Sequence, residues 1–76
     1  MYRGHYIIEA DEQTISKLEK MLRDKWQATD IIIKKFPTCW KISFSTDDYK
    51  KVFQLKEIIK KYKKKVLYRW IDKTNQ

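Results

Sequence analysis

The chain has 76 residues, of which 18 are Lys or Arg and 10 are Asp or Glu, giving a formal net charge of +8. At this length it forms one small basic α+β domain spanning 1–76, which buries only about 60% of its unfolded surface. That excludes a separate cofactor-binding domain or a large internal pocket, and the charge points to an anionic partner without specifying a fold.

Hydrophobic residues make up 42%, too many for a disordered polar tail. No apolar run approaches the roughly 18 residues of a membrane span. The first residues carry no signal-peptide core, because Glu9 and Asp11 interrupt it. Cys39 is the only cysteine and His5 the only histidine, so neither an internal disulfide nor a zinc site is expected. A cytoplasmic location is the resulting expectation. Ten Ile beside fifteen Lys suggest an AT-rich coding sequence, of the kind found in low-GC bacteria and their phages.

Tyr2 to Ala10 reads as a strand, with Tyr6, Ile8 and Ala10 on one face and His5, Ile7 and Glu9 on the other. Asp11 is a helix N-cap candidate. Ile15, Leu18, Leu22 and Trp26 then recur at helical spacing, predicting a helix over Glu12 to Trp26. The β-branched triplet Ile31-Ile32-Ile33 predicts a strand over Thr29 to Phe36. Pro37-Thr38 marks a tight connection. Cys39 to Ser45 alternates cleanly and completes a hairpin, with Trp40, Ile42 and Phe44 on one face.

Ser45-Thr46-Asp47-Asp48 is a helix start signal in which either hydroxyl is able to cap. A helix over Asp47 to Lys63 follows, its apolar arc formed by Val52, Leu55, Ile58, Ile59 and Tyr62. Val66 to Ile71 is rich in strand formers, yet only Lys63-Lys64-Lys65 separates it from the helix. A strand there gives βαββαβ: the ferredoxin-like arrangement, a four-stranded antiparallel sheet with two helices on one face. The alternative is βαββα with one long C-terminal helix.

Catalytic groups do not converge in the sequence. His5 reads as a solvent-facing residue of the first strand, and Cys39 as a small residue on the less buried strand face. Asp47-Asp48 reads as a cap pair. A single glycine excludes both the P-loop and the dinucleotide fingerprint. The expectation is a non-enzyme with no cofactor and no metal. The third strand also lacks the Gly-aromatic pattern on which RNA-recognition motifs stack bases.

Charge is unevenly placed. Residues 1–30 hold five basic and six acidic residues, whereas residues 31–76 hold thirteen and four. The excess lies on the second helix and its flanks. The leading expectation is therefore a nucleic-acid-binding module, for RNA more than DNA, using Lys50, Lys56, Lys60, Lys61, Lys63 and Lys64 with Lys41 and Arg69 in support. Lysine suits phosphate contact more than base reading. The alternative is a phage-type inhibitor or adaptor, a counter-defence protein docking on an acidic host protein or ribonucleoprotein. Tyr49, Phe53, Tyr68 and Trp70 would be its anchors. Homodimerisation through an open sheet edge is the third expectation.

Overall fold

The computed structural model describes residues 1–73. Six elements follow in the order β1 (Tyr2–Glu9), α1 (Glu12–Asp24), β2 (Thr29–Lys35), β3 (Trp40–Thr46), α2 (Tyr49–Lys61) and β4 (Lys65–Lys73). They form a ferredoxin-like unit: one four-stranded antiparallel sheet of order β2-β3-β1-β4, with both helices packed on one face. Among the described residues no helix is long and apolar enough to cross a membrane.

The alternation read in the two central strands is the alternation seen. Tyr6, Ile8, Ile42 and Phe44 are fully buried against Leu18 and Leu22 of α1 and Val52, Leu55 and Ile59 of α2. In register, Tyr6 faces Ile42 and Gly4 faces Phe44, so the apolar pairs share the helix side of the sheet. The Tyr6 hydroxyl, inside this core, donates to the Val52 carbonyl, which satisfies a group that is costly to bury alone. Trp40 is only half-buried, and its Nε1 donates to the Ala10 carbonyl at 3.0 Å.

Helix ends differ from the sequence expectation in ways that local chemistry explains. α1 stops at Asp24, and Gln27 takes a left-handed φ of 52° as the chain turns toward β2. Asp11 occupies the N-cap position, but its carboxylate accepts from the Thr14 hydroxyl and pairs with Lys64 at 3.3 Å rather than capping a backbone amide. At α2 the cap is Asp48, not Ser45 or Thr46: its carboxylate accepts from the Lys50 amide at 3.0 Å. The Thr46 hydroxyl instead accepts from the Asp48 amide at 3.1 Å.

The end of α2 decides between the two folds. The Lys63 amide donates to Lys60 and the Lys64 amide to Ile59, at 2.8 and 3.2 Å. That is the Schellman pattern, and Lys63 sits at its left-handed position with φ 60°. The chain therefore turns without glycine, and residues 65–73 form β4 instead of extending the helix. A non-glycine residue there carries a left-handed penalty of about 1–2 kcal/mol, partly offset by its smaller backbone entropy loss. Lys63→Gly is accordingly expected to stabilise the domain by about 0.5–1 kcal/mol, read as a higher midpoint of thermal unfolding. A lower midpoint would contradict this reading of the turn.

A polar cluster on the open face of the sheet

Strand alternation sends every second side chain to the face without helices. On β1 these are Arg3, His5, Ile7 and Glu9; on β3 they are Lys41, Ser43 and Ser45. β4 adds Tyr68, Trp70 and Asp72, in register with Ile7, His5 and Arg3. Leu67 is the extra residue of a bulge opposite Ile7 and Ile8.

His5 is not solvent-facing, as its terminal strand had suggested, but 8% exposed. Its ring stacks on Trp70 with centroids 4.6 Å apart and planes 10° from parallel. Nδ1 lies 2.8 Å from Ser43 Oγ and Nε2 lies 3.0 Å from Asp72 Oδ2. A carboxylate only accepts, so Nε2 carries the proton and donates to Asp72, while the Ser43 hydroxyl donates to Nδ1. Around this centre Arg3 donates to Ser45 Oγ at 2.9 Å. The Lys41 ammonium sits 5.3 Å from the Trp70 ring centre, and Tyr68 packs against Trp70 at 5.4 Å.

The Ser43–His5–Asp72 chain has the composition of a hydrolytic triad, but not its accessibility. Ser43 is 4% exposed and lies on a central strand paired on both sides. The ladder consumes backbone donors that an oxyanion would need. The geometry suits a lock that joins β1, β3 and β4 through side chains.

Burial, above all, pushes the His5 imidazole below its ordinary value, with the Arg3 and Lys41 charges acting in the same direction. Asp72 opposes them through its hydrogen bond and its charge, without cancelling the burial effect. The unfolded chain thus binds this proton more tightly than the folded one. The contribution to stability is complete above about pH 6.5 and is lost as the pH falls below that value. His5 is the only histidine, so this interval isolates it from other side chains of ordinary pKa. The thermal midpoint is expected to drop between pH 7 and pH 5, and His5→Gln should flatten that drop. An equal drop in both proteins would show that His5 is not its source.

The residues singled out in the sequence fall into separate places. Lys50, Lys60, Lys61 and Lys63 are exposed along and just past α2, while Lys56 and Lys64 are half-buried and Lys64 is committed to Asp11. Lys41 lies on the opposite face of the sheet, over Trp70. Arg69 points to the helix side and covers the Phe53 ring at 4.7 Å. Tyr49 and Phe53 form an edge-to-face pair at 4.9 Å, extended by Tyr2 at 5.1 Å, so they pack on the β1–β4 side of α2. Tyr68 and Trp70 belong to the open face. The cluster around His5 was missed because its members come from three strands, and no local sequence signal reports a contact spanning 67 residues.

No protein-family model matches the chain, and no curated protein does. Among solved structures, a Deinococcus radiodurans protein provisionally named an antibiotic biosynthesis monooxygenase has a similar fold. It superposes with a TM-score of 0.53 at 14% identity, covering 100% of this chain and 94% of that one. The likeness is one of fold. The expectation of an RNA-binding module, and of its phage-type inhibitor alternative, is corrected: the fold is shared with a protein named an antibiotic biosynthesis monooxygenase, and Lys41, Lys64 and Arg69 are engaged away from the exposed lysines of α2.

Proposed function

We propose that this chain is a non-enzymatic assembly module, in which the open face of the sheet pairs with the same face of a second copy. The observation that carries this is an apolar patch of Ile7, Tyr68 and Trp70 on a face that no helix covers among the described residues. Tyr68 is 63% exposed beside half-buried Ile7 and Trp70, and Ile32, paired with Ser43 on the far edge strand, is 49% exposed. An exposed apolar patch rimmed by polar residues is the mark of an interaction site.

Charge opposes a second copy on the helix side more than on this face. The lysines of α2 lie in the layer beyond the sheet, so two copies meeting through their sheets keep those charges far apart. The face itself mixes both signs, with Arg3 in register with Asp72 and Glu9 with Lys65. Its projected size is about 20 by 23 Å from ordinary strand spacings, at the low end for specific interfaces. A reversible dimer of about micromolar affinity is expected. The His5 lock serves it by holding three strands as one platform. Burial of Ser43 supports the non-enzymatic part of the reading.

Light scattering after size exclusion tests this. The mass is expected to move from one chain toward two as concentration rises, and Tyr68→Glu should weaken association by about tenfold or more with an unchanged far-UV spectrum. A single-chain mass at every concentration, or association indifferent to Tyr68→Glu, would overturn it.

A further inference from the structure

The helix side of the molecule holds a second feature. Between α1 and α2 an open cleft of about 570 Å³ has Met21, Trp26, Ile58 and Tyr62 in its lining. Its volume is that of a site for a small organic molecule. All four apolar side chains stay partly exposed, although Met21, Trp26 and Ile58 also touch the core. The remaining lining is charged: Lys17, Lys20 and Lys25, opposed by Asp24.

We infer that this cleft binds an aromatic carboxylate. Three cations against one anion select a negative head group, and an apolar lining with two aromatic rings selects a flat apolar body. The placement of charge also orients the ligand. Lys17 and Lys20 are three residues apart, hence neighbours on α1, and the Lys17 ammonium already lies over the Tyr62 ring at 5.9 Å. Lys25 instead shares the other end of the cleft with Asp24 and with the carbonyl end of α1, both unfavourable to an anion. The carboxylate therefore sits between Lys17 and Lys20, and the ring runs toward Met21, Ile58 and Trp26. The cleft is on the opposite side of the sheet from the proposed dimer face, so the two ideas stand or fall separately.

Naphthalene-2-carboxylate is a suitable probe, with neutral naphthalene-2-carboxamide as its control. Titrated into ¹⁵N-labelled protein, the carboxylate is expected to give saturable shifts at amides of residues 17–26 and 58–62. The carboxamide should bind about fivefold to tenfold more weakly, the scale of two exposed ion pairs. Lys17→Gln plus Lys20→Gln should weaken the carboxylate by the same factor, with its thermal midpoint unchanged, whereas Lys60→Gln should not. Non-saturable shifts, equal binding of acid and amide, or shifts confined to the open sheet face would each overturn the inference.

Discussion

Phe44→Ala is expected to remove about 3–5 kcal/mol of stability, the largest effect of any single substitution considered for this molecule. Phe44 is fully buried in the middle of β3. Its ring lies 6.5 Å from that of Tyr6 and 6.5 Å from that of Trp26, so it joins the sheet to the segment after α1. The void left by alanine has no easy way to close. The residue opposite on β1 is Gly4, which has no side chain to move in, and β3 is held by ladders on both sides. A domain of this length has a total stability of about 4–11 kcal/mol. The loss is thus a large part of the whole. Urea unfolding should show a much lower midpoint, and in the weaker half of that range a population already unfolded in water. A change below about 1 kcal/mol would mean that the core around Phe44 repacks freely, contrary to its confinement between Gly4, Tyr6 and Trp26.

Gly4→Ala is the second large effect, and it tests the same contact from the other side. A Cβ on Gly4 would lie 2.8 Å from Val52 Cγ1 and 3.2 Å from Phe44 Cζ. Neither neighbour yields cheaply: Val52 is fully buried on α2 with a stiff β-branched side chain, and Phe44 is wedged as above. The expected cost is about 1–3 kcal/mol, from overpacking and not from backbone conformation. The double substitution Gly4→Ala with Val52→Ala distinguishes the cause. It should be less destabilising than the two single changes added together, because the second removes the atom that the first strikes. Strict additivity would place the cost elsewhere.

Much of the fold was legible in the sequence, and the reasons are specific. The period-2 runs around Tyr6 and Ile42 and the period-3.6 run from Ile15 to Leu22 each point to one face, and those faces meet in the core. The strand at the end of the chain was ambiguous for a physical reason: its turn is built from Lys63 in a left-handed conformation, where glycine is the usual signal. The polar cluster was illegible because it depends on the register of β1 against β4, and Asp72 lies beyond the stretch the sequence marked as strand-forming. The lysines of α2 show the limit of charge counting. They stood out in composition, but one partners Asp11 and their expected ally Lys41 is on the far face. Tyr49 and Phe53 were visible as an i,i+4 pair, while their contacts with Tyr2 and Arg69 follow from the strand order alone.

The proposed pairing of open sheet faces has one direct measurement. Deuterated, ¹⁵N-labelled chain is mixed with unlabelled chain at about 0.5 mM, well above a micromolar dissociation constant. The unlabelled aliphatic and aromatic protons are then irradiated, and saturation is read at the labelled amides. The account predicts attenuation concentrated at Ile7, Tyr68 and Trp70 and their strand neighbours, with α2 amides from Lys50 to Lys61 unaffected. Attenuation along α2, or none anywhere, would contradict it.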